Sequence, residues 1–83
     1  MTSPRDEIRP ALLKAISETM KTPVAELTDN TQIIADLGAK SVDFVRIIGA
    51  LEDELDLEIP FMEFRRKKAI GEAIEYLVAL CES

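Results

Sequence analysis

Ser41 is the side chain of this 83-residue sequence whose surroundings suggest chemistry. It stands in the segment Asp36-Leu37-Gly38-Ala39-Lys40-Ser41-Val42-Asp43. A serine becomes a nucleophile only when a base takes its proton, and the usual base is histidine. The sequence has no histidine, so neither a Ser-His nor a Cys-His pair can form and a self-contained hydrolase is disfavoured. The single cysteine, Cys81, cannot build a zinc site or an intramolecular disulfide, and its expected place is a small buried apolar position. Asp29-Asn30-Thr31 lacks the ligand and glycine spacing of a calcium-binding EF-hand loop, and three glycines form no phosphate-binding loop. No metal site is expected. Chemistry at Ser41 must come from an enzyme that acts on it or from a group attached to it.

Charge narrows the partners. Ten basic residues against sixteen acidic ones leave a net charge of -6, which disfavours nucleic acid, because phosphate neutralisation needs a surplus of Lys and Arg. Residues 41–58 hold Asp43, Glu52, Asp53, Glu54, Asp56 and Glu58 against Arg46 alone, so six acids and one base give this stretch -5. Arg65-Arg66-Lys67-Lys68 follows as a basic run, and an acidic face beside a basic one is expected. No stretch approaches the ~18 apolar residues of a membrane span. The opening Met1-Thr2-Ser3-Pro4-Arg5-Asp6-Glu7 has no apolar leader region. These features predict a soluble protein of the cytoplasm.

The elements that must position Ser41 follow from hydrophobic spacing. Ile8, Leu12, Leu13, Ile16 and Met20 make one face of a first helix, which starts at Asp6 or Glu7 if Pro10 is confined to the first turn. Thr22-Pro23 ends it. A long polar connection over residues 22–40 can stay on the core only through apolar anchors, for which Val24, Leu27, Ile33, Ile34 and Leu37 are the candidates. A helical turn at Pro23–Leu27 would be capped by Thr22. The second helix opens with Ser41 at a cap position, and Phe44, Val45, Ile47, Ile48, Leu51 and Leu55 form its stripe. A cap role alone predicts that Ser41→Ala costs ~1 kcal/mol. Leu57-Glu58-Ile59-Pro60 is the exit from that helix. A short third helix and a last one bearing Ile70, Ala73, Ile74, Leu77 and Leu80 complete the chain.

The expectation is an all-α fold in a single domain over 1–83, a small four-helix bundle of three longer helices and one short one, with the long loop between the first two. Its helices are placed at about 7–21, 41–55, 61–67 and 69–81.

The segment Asp36-Leu37-Gly38-Ala39-Lys40-Ser41-Val42-Asp43, the acidic helix after it and the exit Asp56-Leu57-Glu58-Ile59-Pro60 together resemble the acyl carrier protein family. That family's attachment region reads D-L-G-x-D-S-L-D and its exit D-x-E-I-P. The likeness extends without a gap from about Asp6 to Leu77. It implies a non-catalytic carrier with 4'-phosphopantetheine, donated from coenzyme A, on Ser41, and cargo held as thioesters in fatty-acid or specialised lipid or polyketide-type biosynthesis. The implied partners are a phosphopantetheinyl transferase, an acyl-loading ligase or transacylase, and synthase enzymes; the expected state is a monomer. Asp36, Lys40, Val42, Asp43, Arg46, Glu52, Asp53, Arg65 and Arg66 are the candidate partner-recognition residues. Phe44, Ile48, Leu51, Ile59, Phe64 and Ile70 are the candidates for a core that opens to hold an acyl chain.

Two departures bear on the pathway. Lys40 occupies a position that is usually Asp, and Arg46 stands where the early part of the helix is usually acidic, so both reverse the local charge. Phe61-Met62-Glu63-Phe64 and the basic run also differ, and look more like the corresponding part of specialised carriers, D-alanyl carriers among them. An aminoacyl carrier and an unmodified helical interaction module are the alternatives to an acyl carrier.

Overall fold

The computed structural model of the protein describes residues 4–82; Met1, Thr2 and Ser3 of the opening segment, and Ser83, lie outside the described residues. Four α-helices follow one another: α1 (Pro4–Met20), α2 (Ser41–Leu55), α3 (Phe61–Arg65) and α4 (Ile70–Glu82), with a short 3-10 turn at Val24–Glu26 in the loop after α1. α1 packs chiefly on α2 and α4, and α3 packs on α2. No strand occurs among the described residues. One isolated antiparallel bridge, Gln32 with Ala69, ties the long loop to the start of α4.

α1 begins earlier than Pro10 suggests. It starts at Pro4, a residue suited to a helix's first position, and runs through Pro10 in its interior. An interior proline costs ~3 kcal/mol or more. Burying Ile8, which is 1% exposed, returns about 1.5–3 kcal/mol, and Arg5 pairs with Glu75 on α4. Pro10 itself is exposed, so the missing rung faces water, where helix carbonyls already tilt outward. At the other end Lys21 takes a left-handed φ of 54° and the Thr22 N–H donates to the Ser17 carbonyl at 3.1 Å, closing α1 with a Schellman motif.

The core is one cluster fed by every helix. Leu12 and Ile16 of α1, Phe44 and Leu51 of α2, Phe64 of α3 and Leu77 of α4 are completely buried. Phe44 and Phe64 meet edge to face with ring centroids 6.1 Å apart and planes at 74°, a geometry that contributes ~1 kcal/mol beyond area. Val45, placed on the α2 stripe by spacing, is instead 58% exposed.

Of the five expected loop anchors, Leu27 and Ile33 are buried and Leu37 packs partly against the core, whereas Val24 and Ile34 are exposed. Ile33 and Ile34 are neighbours in a tight turn, so only one can point inward. Thr22 does not cap the 3-10 turn; its hydroxyl donates back to the Met20 carbonyl at 3.3 Å.

α3 ends at Arg65, two residues short of the expected limit. A helix continued to Lys68 would bring Arg65 and Lys68, three residues apart, onto one face, which is mildly unfavourable. The chain instead tightens, with Arg66 and Lys67 N–H donating to the Glu63 and Phe64 carbonyls, and then extends so that the Lys68 carbonyl accepts from the Ile33 N–H at 2.9 Å. α4 accordingly starts at Ile70 rather than Ala69 and runs to Glu82. Cys81 is exposed, not buried. Arg5 pairs with Glu75 and Arg9 with Asp29, whose carbonyl accepts from the Gly71 N–H, so α1 and α4 run antiparallel. In the last turn of α4, Leu80 still packs partly against the core, whereas Cys81 faces outward.

Candidate functional site at the start of α2

The first N–H groups of any helix have no intrahelical acceptor, and a polar side chain at the N-cap commonly supplies one. In α2 the N-cap is Lys40, with extended φ and ψ of -110° and 175°, and its carbonyl accepts the first helical bond from the Phe44 N–H at 3.0 Å. Ser41 is thus the first helical residue, not the cap that spacing suggests. An ammonium group has no lone pair to offer, so Lys40 cannot cap through its side chain. The reciprocal half of a capping box is present alone: Asp43, three residues on, accepts from the Lys40 N–H at 2.9 Å.

α4 starts by the same device. Ala69, equally unable to cap, donates its N–H to Glu72 Oε2 at 3.0 Å, and the Lys68 N–H donates to the same oxygen at 3.0 Å. These two backbone bonds, Ala69 first, hold the Glu72 carboxyl below its ordinary pKa. The signal for both starts was an acid three residues after the cap, Lys40-x-x-Asp43 and Ala69-x-x-Glu72, without the expected Ser or Thr before it.

Asp43 takes up one of the unpaired N–H groups, and the Ser41 hydroxyl is exposed and makes no hydrogen bond to another described residue. The loop that presents it is fixed from below. Asp36 accepts from the Gln32 N–H at 2.8 Å, the Gly38 N–H donates to the Ile34 carbonyl at 2.9 Å, and Ala39 is buried. Gly38 has a φ of +71°, a conformation that a side chain disfavours, and no atom lies within 4 Å of where its Cβ would be.

The other candidate residues fall into separate regions. Val42, Val45 and Arg46 are exposed beside Ser41, and Lys40 is exposed before it. Glu52 is half-buried and accepts from the Ile59 N–H at 2.9 Å, so it holds the exit of α2 against the helix. Asp53 is exposed and shares a surface cavity of about 210 Å³ with Lys14, Glu18 and Glu54. Arg65, the last residue of α3, and Arg66 after it are exposed. The six acyl-pocket candidates lie together in the closed core: Phe44, Leu51, Phe64 and Ile70 are 0% exposed, Ile59 5% and Ile48 6%. One contact cluster had no sequence signal. The Tyr76 hydroxyl donates to Glu63 Oε2 at 2.7 Å and Lys67 Nζ sits 4.9 Å from the centre of its ring; burial and then Glu63 push the phenol up to about 12.

Residues 10–77 match the family described as the phosphopantetheine attachment site. Two curated relatives named acyl carrier protein, from Clostridium perfringens strains SM101 and ATCC 13124, are each 38% identical over 66 residues, covering 80% of this chain and 87% of the relative. The chain belongs to the acyl carrier protein family. It is a non-catalytic carrier, its prosthetic group is phosphopantetheine, and its function brings it into contact with transferases and synthases. A free, exposed hydroxyl on the first residue of a 15-residue helix fits that group, since a phosphate gains from the N–H groups and dipole of such a start. No helix among the described residues of this carrier is long and apolar enough to cross a membrane.

This division of labour fixes the stability effects of three substitutions in the carrier. Ser41→Ala should change stability by less than about 0.5 kcal/mol, because no cap is lost. Asp43→Ala should cost about 1 kcal/mol through the unpaired Lys40 N–H, and Gly38→Ala about 1 kcal/mol through backbone conformation. Thermal melts followed by circular dichroism check the order, and a Ser41→Ala loss as large as that of Asp43→Ala would return the cap to Ser41.

Proposed function

We propose that Ser41 Oγ is the attachment point of the phosphopantetheine arm and that this chain carries acyl groups. The supporting observation is the unbonded, exposed Ser41 hydroxyl at the first turn of α2. Attached there, the arm supplies a terminal thiol on which acyl groups are held as thioesters. Ser41 Oγ would form its bond to phosphorus as the nucleotide portion of coenzyme A leaves, with a separate transferase taking the serine proton, since this chain has no histidine to do so. The N–H groups of Ser41, Val42 and Asp43 have no intrahelical acceptor and point toward the start of the helix, where a phosphodiester's charge is favoured by ~0.3–1 kcal/mol. The relatives' name, acyl carrier protein, supports acyl over aminoacyl cargo. Phe44, Ile48, Leu51, Ile59, Phe64 and Ile70 would line the chain's cavity only when α3 moves away from α2, because they are closed against one another. Intact-mass measurement after incubation with coenzyme A and a broad-specificity transferase tests the attachment. The wild type should gain the mass of one phosphopantetheine and Ser41→Ala none; equal gain by both would overturn it.

Lys40 and Arg46 support a dedicated set of partner enzymes. Both are exposed on either side of Ser41, so an enzyme built to meet acids there encounters two cations. Replacing both, Lys40→Asp with Arg46→Glu, should raise malonyl loading of the holo protein by a general fatty-acid transacylase several-fold, most at low salt where screening is weakest. Equal rates across a salt series would mean that Lys40 and Arg46 do not select partners, and the case for a dedicated set would rest on residues 61–68 alone.

A further inference from the structure

The basic run is an unspent surface in a chain of net charge -6. Arg65, Arg66 and Lys68 are exposed and none has an ion-pair partner among the described residues, while Lys67 is engaged over the Tyr76 ring. The acids closest in sequence are committed elsewhere: Glu63 to the Tyr76 hydroxyl, Glu72 to the N–H groups of Lys68 and Ala69. Together with Gln32, Ile34 and Ala35 the four cations line an open cavity of about 350 Å³. Ile34, at 48% exposure, supplies an apolar floor beneath a cationic rim. The two walls are pinned to each other by the Gln32–Ala69 bridge, the Ile33 N–H to Lys68 carbonyl bond and the Ile70 N–H to Thr31 carbonyl bond, the last two both 2.9 Å. A groove held in this way needs little ordering on binding.

We propose that this groove is a docking site for a helical segment of a partner protein that bears carboxylates around one exposed apolar side chain. The apolar side chain would cover Ile34 and Ala35, and carboxylates a turn apart on the partner helix would meet the Arg65 and Arg66 guanidinium groups, each of which can donate two N–H groups to one carboxylate. A second copy of this chain is a poorer occupant. Its acidic α2 carries the exposed Arg46, with the exposed Lys40 just before it, so that face brings two like charges to the cationic groove. Nucleic acid is disfavoured by the negative charge of the rest of the molecule.

The docking site does not depend on what Ser41 carries, so the Ser41→Ala chain is the protein to test; a failure here leaves the attachment of the arm untouched. Amide resonances are followed during titration with a synthetic amphipathic helical peptide in which glutamates surround a central leucine. Shifts should be confined to residues 32–35 and 65–69, weaken as salt is raised, and be lost with the glutamine counterpart of the peptide. Arg65→Glu with Arg66→Glu should weaken binding ~10-fold or more, equivalent to ~1.4 kcal/mol, and Ile34→Ser should weaken it measurably without moving the melting temperature. Parallel titrations use phosphatidylglycerol vesicles and a short single-stranded DNA, and sedimentation reports self-association. No shift at these residues up to ~1 mM peptide, equal binding of the glutamine peptide, a stronger response to vesicles or DNA, or dimers broken by the Arg65/Arg66 variant would each overturn the proposal.

Discussion

A helix cannot start without leaving backbone N–H groups unpaired, and the way α2 meets this constraint determines what Ser41 can do. Had Ser41 been the N-cap, its oxygen would have been held by an amide within the chain. Lys40 occupies that position instead, and the carboxylate of Asp43 reaches back to the Lys40 N–H. The serine is left at the first helical position with its hydroxyl in water, and the helix start it would have stabilised is stable without it. The same substitution of an acid at the third position for a missing cap starts α4, where Glu72 gathers two N–H groups. In both helices the acid is tied to the backbone by a local bond, and at α4 the long loop adds to it, since the Ile70 and Gly71 N–H groups donate to the Thr31 and Asp29 carbonyls.

The loop in turn supplies position and a share of the core, through Leu27, Ile33 and Ala39. Leu27 and Ile33 anchor it, the Gln32–Ala69 bridge and the Asp36 carboxylate shape it, and Gly38 turns it into α2. α1, α2 and α4 bury their stripes against one another, and α3 adds Phe64 across Phe44. The resulting interior is closed around the residues proposed to meet cargo. A carrier whose cargo enters the core must therefore give up part of this packing, and a five-residue helix is the smallest unit that can move without separating the three long ones.

What the sequence disclosed and what it hid divide along physical lines. The stripes of α1, α2 and α4 were legible because 3.6-residue spacing is imposed by burial, and the helical bundle followed from them. The segment around Ser41 was legible through its resemblance to a known attachment region, which covers most of the chain. The start of α1 was misjudged because the rule about Pro10 is local, whereas Ile8 is held by tertiary burial of comparable size. Ile33 and Ile34 could not be told apart, since adjacent apolar residues in a turn carry no periodicity. Cys81 continues the α4 stripe in spacing, and spacing alone does not show that the stripe reaches solvent at its end, where Cys81 is exposed. The cap was misassigned for a chemical reason: a serine beside a lysine looks like the capping residue, whereas the acceptor is the acid two positions later.

The central claim is that Ser41 stands free because Asp43 holds the start of α2, so that a group on Ser41 changes its surroundings and not the fold. Amide NMR of the protein before and after phosphopantetheine addition tests this most directly. The account predicts shifts concentrated at residues 38–44, with the Lys40 amide still showing the downfield position and slow exchange of a bonded N–H and the core amides of α1 and α4 unmoved. Unchanged resonances around residue 41, or shifts spread through α1 and α4 with loss of the Lys40 protection, would contradict it.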